Sequence, residues 1–248
     1  MLQYLFIFRL VICIILFIVY SQLLRIIPSS WVPQLNKLFV KLFLYFANFT
    51  RIHINNKQVF DSIVNSDQQC LIVSNHTTLY DSFALMASLG NVCFFANIEN
   101  MNIFPGLYDI CNNLKCVFLN KAHKGNAIKI KEKVESRQQY QPLLVVYPDA
   151  CGYIPIGCNI APFKTGAFSQ GFDVLPVLIE YTDWTIDPTF LWYKGEEALH
   201  CMFKPLIDTQ CHIHITVLDK QSKKQNETIE QYKDRIYQYM SRNKVAKS

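Results

Sequence analysis

Residues 70–89 read CLIVSNHTTLYDSFALMASL, and within this stretch a strand pattern gives way to a helix pattern. The short apolar run predicts a strand at Cys70–Ser74, and the apolar segment after it predicts a helix at Asp81–Leu89. A polar turn that contains His76 joins the two elements. The stretch therefore predicts a strand-turn-helix unit with polar side chains at the carboxyl end of its strand.

The same alternation of strand and helix patterns continues along the chain, without an internal repeat or a Gly/Ser linker. Further strands are predicted at Val92–Ala96, Lys115–Asn120, Leu143–Tyr147, Val174–Tyr181 and His212–Leu218. Further helices are predicted at Gly125–Arg137, Gly166–Gly171 and Thr228–Arg242. This order predicts an α/β fold, with a mixed, largely parallel sheet flanked by helices.

His76 and Asp81, separated by four residues, are the candidate catalytic pair. In an ideal helix these positions differ by roughly 140° around the axis, so contact requires His76 to lie at or just before the first turn. Asn75, Thr77 or Thr78 can supply the N-cap there. A carboxylate beside the imidazole would hold it in one tautomer for use as a general base. Alternatively, Asp81 only closes a capping box with Thr78, and His76 is an ordinary turn residue.

Three further blocks follow this turn in a fixed order. They are LKCVFLNK at 114–121, LLVVYPDACG at 143–152 with PFKTGAF at 162–168, and VLPVLI at 174–179. The series resembles the glycerolipid acyltransferase family over about Cys70 to Tyr181. That family carries histidine and aspartate with four residues between them, then phenylalanine-isoleucine-x-arginine, then phenylalanine-proline-glutamate-glycine, then an apolar strand with proline. The ordered set is far more specific than any one block.

The resemblance implies an acyl-CoA-dependent O-acyltransferase that acylates the free hydroxyl of lysophosphatidate or of a lysophospholipid with a head group. It implies His76 as general base and Asp81 as the residue that orients it. The same resemblance implies substrate binding by Lys121, Asp149 and Ala150. Lys164 is a fourth candidate, for a phosphate of the substrates, and the alternative is a solvated surface lysine. Acyl-CoA would be a co-substrate, with no cofactor and no metal. The expected partners are acyl-CoA, the lysophospholipid acceptor and membrane lipids, and no nucleic acid.

The chain departs from the family pattern at two places. Lys121 stands where the family has arginine, and it would meet a phosphate as a point charge without the bidentate fork of a guanidinium. Asp149-Ala150 stands where the family has glutamate-glycine, which shortens the acidic side chain and adds a methyl group beside the backbone. These departures leave open a membrane-bound, lipid-binding pseudoenzyme, and a CoA-independent phospholipid transacylase is a further alternative.

The N-terminal segment predicts a membrane helix. Residues Tyr4 to Leu24 are almost all apolar, with Arg9 as the one charge near an end, and about 20 such residues cross the hydrocarbon core of a bilayer. A cleaved signal peptide is the alternative, but residues 20–22 offer no small-residue cleavage site. A second apolar stretch, Leu38 to Phe49, is expected either to lie in the interface or to pack on the domain.

Composition and charge agree with a membrane location. The chain has 248 residues, of which 51% are hydrophobic and 17% charged, and its net charge of +5 suits an anionic lipid surface. Basic residues after the first apolar run predict a catalytic domain that faces the cytosol, and the resemblance points to the endoplasmic reticulum in a eukaryotic cell. The predicted division is a membrane helix at 1–27, an interfacial segment at 28–60 and the acyltransferase domain at 61–248.

Cysteine and histidine residues do not predict a metal site or a disulfide framework. Five metal-ligating side chains fall late in the chain, but their spacing matches no familiar zinc pattern: His200, Cys201, Cys211, His212 and His214. Nine cysteines are scattered, mostly in apolar runs, and this is typical of reduced, buried thiols. A passive role is expected for Cys151, beside the Asp149 block.

Overall fold

The computed structural model describes residues 2–78, 80–97, 106–119, 126–148, 160–184, 205–207 and 210–244. The helices are α1 Leu2–Ile26, α2 Val32–Phe46, α3 Lys57–Val64, α4 Asp81–Ser88, α5 Leu107–Asn113, α6 Asn126–Glu135 and α7 Ile229–Asn243. The strands are β1 Phe49–Asn55, β2 Cys70–Ser74, β3 Val92–Asn97, β4 Val117–Leu119, β5 Leu143–Val146, β6 Asp173–Thr182 and β7 Cys211–Val217. Short 3-10 turns lie at Ser29–Trp31 and Thr165–Ala167.

The strands form one seven-stranded sheet in the order β1-β7-β6-β2-β5-β3-β4. Neighbouring strands run parallel except for β6 and β7, which are antiparallel. The predicted α/β architecture with a mixed, largely parallel sheet is therefore confirmed. Strand β2 lies near the middle of the sheet, between β6 and β5, so the turn that follows it is surrounded by the ends of other strands.

Helices cover both faces of the sheet. Successive side chains of each buried strand point to opposite sides, so apolar residues on both faces must be covered. In β2, Ile72 belongs to the core under α1 to α4, whereas Val73 belongs to the core under α6 and α7. Helix α7 packs on the sheet with Tyr232, Ile236 and Met240 completely buried.

The predicted elements match the observed ones closely, and three of the observed α-helices and strands were not predicted. The strand Cys70–Ser74 has the predicted limits, and the predicted helix at Gly166–Gly171 is a 3-10 turn that begins at Thr165. Strand β1 and helices α3 and α5 were missed. The division at 1–27, 28–60 and 61–248 stays a prediction, although β1 lies in the second segment and pairs with β7.

Helix α2 packs on the domain as one interpretation of the second apolar stretch expected, and its place in a membrane interface stays a prediction. Its inner face packs against the domain, with Val40 and Leu44 fully buried, whereas Leu38 and Tyr45 on the outer face are 55% and 64% exposed. The guanidinium of Arg9 in α1 donates hydrogen bonds to the Leu206 carbonyl oxygen at 3.0 Å and to Asn48 Oδ1 at 3.1 Å.

Candidate active site

The loop after β2 is tied to β6 by the side chain of Asn75. Its Nδ2 donates to the Ile179 carbonyl oxygen and its Oδ1 accepts from the Ile179 amide, both at 2.9 Å. Asn75 is completely buried. The amide thus replaces a pair of backbone bonds where β2 ends, and it holds the following residue, His76, at a defined place on the edge of the sheet.

Asp81 is the first residue of α4, and its carboxylate turns back towards the loop. Oδ2 accepts from the backbone amides of Thr77 at 2.6 Å and Thr78 at 2.9 Å, and it lies 2.8 Å from His76 Nδ1. His76 therefore precedes the first turn of α4 and Asp81 lies within it. Asp81 holds the loop backbone and contacts the histidine at the same time.

The reciprocal capping box with Thr78 does not form. The Thr78 hydroxyl accepts from the amide of Tyr80 at 2.9 Å, and the Asp81 amide donates to the Thr78 carbonyl oxygen at 3.3 Å. Tyr80 occupies the N-cap position without a side-chain cap, so none of the three expected residues caps α4. The helix start is instead stabilised by the buried carboxylate at its first residue.

The arrangement selects the tautomer of His76. An ionised carboxylate only accepts hydrogen bonds, so the imidazole nitrogen beside it, Nδ1, carries the proton. The lone pair is then on Nε2, so this nitrogen can accept a proton in general base catalysis. The His76 side chain is 12% exposed whereas that of Asp81 is 0% exposed. A substrate can therefore approach the imidazole, and the carboxylate is shielded from water.

Two tyrosines that sequence reasoning missed complete this site. The Tyr181 hydroxyl donates to Asp81 Oδ1 at 2.5 Å, and burial, together with the Asp81 charge, raises the pKa of Tyr181 well above its usual value. The Tyr147 ring stacks on the imidazole of His76, with ring centroids 4.2 Å apart. The Tyr147 hydroxyl lies 3.1 Å from Ser82 Oγ on α4. Strand alternation predicts the face on which Tyr181 lies but not its partner.

Three of the four predicted substrate-binding residues, Lys121, Asp149 and Ala150, lie outside the described residues, as does Cys151. Lys164 is exposed, and its backbone amide donates to the Pro148 carbonyl oxygen at 2.9 Å. This bond brings the two blocks at 143–152 and 162–168 together at the end of β5.

The histidines of β7 have partners other than a metal. His212 Nδ1 lies 2.8 Å from Asp183 Oδ2, and His214 Nε2 lies 3.1 Å from the Thr182 hydroxyl. His200 and Cys201 lie outside the described residues. Within the part of the chain that the structure describes, no group of three or more His, Cys, Asp or Glu side chains is arranged to hold a metal ion. The expectation of metal-free catalysis stays a prediction.

Curated relatives of this chain are lysophospholipid acyltransferases. Lysophosphatidylcholine acyltransferase 1 from Homo sapiens is 21% identical over 206 residues, which cover 81% of this chain and 37% of that protein. The same enzyme from Rattus norvegicus is 21% identical over 190 residues, which cover 75% of this chain and 34% of that protein. The chain thus spans about a third of the length of the curated relatives it matches.

The fold is shared with a solved acyltransferase structure. The crystal structure of the 1-acyl-sn-glycerophosphate (LPA) acyltransferase PlsC from Thermotoga maritima matches with a TM-score of 0.65 and 16% identity, and the match covers 97% of this chain and 94% of that one. A family model described as Acyltransferase matches residues 51–180, which is more than half of the 248 residues. By that match, the chain belongs to the Acyltransferase family.

Proposed function

We propose that this protein is an acyl-CoA-dependent O-acyltransferase that moves a fatty acyl chain to the free hydroxyl of a lysophospholipid. The observation that carries the proposal is the 2.8 Å contact between His76 Nδ1 and the buried carboxylate of Asp81 at the carboxyl end of β2. The names of the similar proteins support a lysolipid acceptor, since they contain lysophosphatidylcholine and 1-acyl-sn-glycerophosphate (LPA).

In the proposed reaction His76 acts as general base. Its Nε2 removes the proton from the acceptor hydroxyl as that oxygen attacks the thioester carbonyl carbon of acyl-CoA. A carbon–oxygen bond forms and the carbon–sulfur bond breaks, and the proton passes from the imidazolium to the departing thiolate, which leaves as free CoA. Asp81 stabilises the imidazolium while it exists, because the two charges lie side by side away from water. No acyl-enzyme is required.

Four residues are proposed to bind the substrates. Lys121 would neutralise the acceptor phosphate, and Asp149-Ala150 would line the acceptor site beside His76. Lys164 would meet a phosphate of the acceptor or of CoA. The backbone bond between Lys164 and Pro148 supports this grouping, because it puts Lys164 next to the residue that precedes Asp149.

Helices α1 and α2 are proposed to hold the protein on a lipid bilayer. Among the described residues one helix, Tyr4–Ile26, is long and apolar enough to cross a membrane. Its outward side is apolar and exposed at Tyr4, Ile7, Phe8, Val11, Ile15, Ile18 and Val19. The exposed side of α2 adds Leu38, Leu42 and Tyr45, and the exposed Lys37 and Lys41 beside them suit anionic head groups. We name these two exposed sides the lipid face.

Contacts along α1 favour a position in one leaflet over a full span. Near the start of the helix Arg9 is bonded to Asn48, and near its end Arg25 pairs with Asp109 at 2.6 Å. These two arginines are 16 residues apart, or about 24 Å along the helix, against about 30 Å for the hydrocarbon core. A perpendicular span would carry the polar domain into the hydrocarbon. Helix α1 is therefore proposed to lie with one side on the domain and the lipid face in the bilayer.

The proposal is tested by acyl transfer with the full chain purified in detergent, radiolabelled acyl-CoA and a panel of lysophospholipids. Labelled diacyl phospholipid is expected with at least one acceptor. His76→Ala should lower kcat by about 10²-fold or more, the usual contribution of a general base. His53→Ala, which removes an exposed histidine from β1, is the matched control and should keep full activity.

Other outcomes of the same assay would overturn the proposal. Equal transfer by His76→Ala would remove the general base from the mechanism. Transfer from a labelled phospholipid in the absence of CoA would identify a transacylase instead. No transfer to any acceptor, by protein that still binds lysolipid, would identify a lipid-binding pseudoenzyme.

Lys121→Arg and Asp149→Glu restore the family pattern at the two departures. Each reversion is expected to change the acceptor preference or the rate, because the charge keeps its sign while its reach and hydrogen-bond geometry change. The measurement is kcat/KM across the acceptor panel, with circular dichroism to confirm the fold. Unchanged kinetics in both variants would show that these residues do not meet the acceptor.

A further inference from the structure

We propose that Tyr181 is a positioning residue of the catalytic pair, which orients the carboxylate of Asp81 and moderates the base strength of His76. The inference rests on the proposed function, because it assigns Tyr181 a part in that reaction. It concerns a residue outside the histidine-aspartate turn, on a strand 100 residues further along the chain.

The sheet determines where the Tyr181 hydroxyl lies. Strand β6 pairs with β2, and its residues Val177, Ile179 and Tyr181 alternate onto the face covered by α1 to α4. Ile179, two residues before Tyr181, is held by both polar atoms of the Asn75 amide. The tyrosine ring is buried, and its hydroxyl is thereby delivered to the carboxylate of Asp81.

The two oxygens of the Asp81 carboxylate have different partners. Oδ2 takes the amides of Thr77 and Thr78 and the imidazole of His76, whereas Oδ1 takes the Tyr181 hydroxyl at 2.5 Å and the Thr77 hydroxyl only at 3.4 Å. Tyr181 is therefore the close donor to Oδ1 among the described residues. Its bond opposes rotation of the carboxylate, and so keeps Oδ2 aimed at Nδ1.

The same bond changes the charge that His76 meets. A hydroxyl that donates to a buried carboxylate withdraws negative charge from it, so the carboxylate stabilises a neighbouring imidazolium less strongly. Burial and the adjacent Asp81 raise the pKa of Tyr181, so its hydroxyl stays protonated and keeps donating at neutral pH. Loss of this donor should leave His76 less well oriented and easier to protonate.

The test compares Tyr181→Phe with Tyr232→Phe in the full chain. Tyr232 is the matched control, since its buried hydroxyl donates to the Phe172 and Gln221 carbonyl oxygens at 3.0 and 2.9 Å on the opposite face of the sheet. Both changes delete one buried hydroxyl. Tyr181→Phe should lower kcat several-fold at unchanged KM for the acceptor, whereas Tyr232→Phe should leave both constants unchanged.

The pH profile separates positioning from a general loss of structure. His76 must be neutral to accept a proton, so activity falls on the acid side. With Tyr181→Phe the midpoint of that acid limb should move to higher pH, by roughly 0.5 to 1 pH unit, because the imidazolium gains stability. Substitution of 3-fluorotyrosine at position 181, a stronger donor of nearly the same size, should move it to lower pH. Coincident profiles for all three proteins would overturn the proposal.

The titration of His76 can be measured by NMR without any catalysis, so the role of Tyr181 can be tested separately from the proposed function. Imidazole nitrogen signals of His76, assigned by comparison with His76→Ala, report its tautomer and its titration in NMR spectra. A titration shifted upward in Tyr181→Phe supports the role of Tyr181 even if wild-type protein transfers no acyl chain, which would refute the proposed function alone. Active wild-type protein with an unshifted His76 titration in Tyr181→Phe would refute the role of Tyr181 alone.

Discussion

At the scale of single residues, Asp81 holds both the backbone of its own turn and the imidazole of His76. Two loop amides and one ring nitrogen converge on its Oδ2, and the carboxylate is fully buried. A buried charge is tolerated only where donors surround it. The demands of folding and of the proposed chemistry are therefore met by the same carboxylate, and the loop cannot move without disturbing His76.

The buried side chain of Asn75 is expected to contribute to the free energy of unfolding. Asn75→Ala should lower the free energy of unfolding by about 2 kcal/mol or more, because two buried polar groups of Ile179 lose their partner. The measurement is denaturant unfolding in detergent. Asn243→Ala, which removes an exposed amide bonded to the Tyr239 carbonyl oxygen, is the control and should cost far less. Equal losses in both variants would show that the hydrogen bonds between Asn75 and Ile179 do not stabilise the fold specifically.

Among the secondary-structure elements, helix α7 has the clearest start, because residues at its own N-terminus stabilise it. Thr228 and Gln231 form a reciprocal capping box. Just before it, Glu227 receives two hydrogen bonds from the guanidinium of Arg235, at 2.7 and 2.9 Å. The capping residues Thr228 and Gln231 thus determine where the helix begins, and its buried side can pack against β6.

The Glu227–Arg235 pair predicts a pH dependence of stability. Hydrogen bonds from Arg235 lower the pKa of Glu227 from 4.5 to about 2. A lowered pKa means that the ionised form stabilises the fold, so this contribution is complete above pH 4.5 and is lost as the pH falls towards about 2. Glu227→Gln should therefore be less stable than wild type at neutral pH, and the difference should vanish in acid.

Unfolding curves measured from neutral pH down to acid check this expectation. Glu230→Gln, at an exposed position in the first turn of α7, is the control for a lost glutamate charge. A stability difference for Glu227→Gln that stays constant over the whole range would argue against the ion pair as its source.

At the scale of the whole molecule, the lipid face and the catalytic pair depend on the same layer of helices. Phe17 of α1 packs edge-on against Phe43 of α2 and Phe83 of α4, with ring centroids 5.1 and 6.0 Å apart. Helix α4 begins at Asp81. Helices α1 and α2 therefore form one side of the core that supports α4 and the catalytic pair.

Docking by the lipid face predicts a specific loss of membrane binding. Leu42→Glu should reduce flotation of the protein with anionic phospholipid vesicles, because it places a charge in the apolar surface that is proposed to face lipid. Ile128→Glu is the control, since Ile128 is 61% exposed on α6, on the other side of the sheet. If both variants float as wild type does, the lipid face is not the docking surface; if both lose binding equally, binding is not specific to it.

Local sequence patterns predict the fold well where an element has a strong period and clear limits. Strand β2 is a short apolar run bounded by polar residues, and α7 carries both a cap and an apolar side. Strand β1 was missed because it begins at Phe49, at the end of an apolar stretch predicted as helix. Its burial alternates only weakly, since it lies at the edge of the sheet.

Local sequence patterns predict the strand-turn-helix unit and the α/β class, and they leave contact between His76 and Asp81 as one of two alternatives. These follow from periodicity and from contacts within a few residues, which local chain geometry controls. Only the tertiary structure decided that Tyr181 donates to Asp81, that Tyr147 stacks on His76 and that Asn75 clamps β6. Such contacts join residues about 70 to 100 positions apart, and strand order and packing place them where no local pattern can.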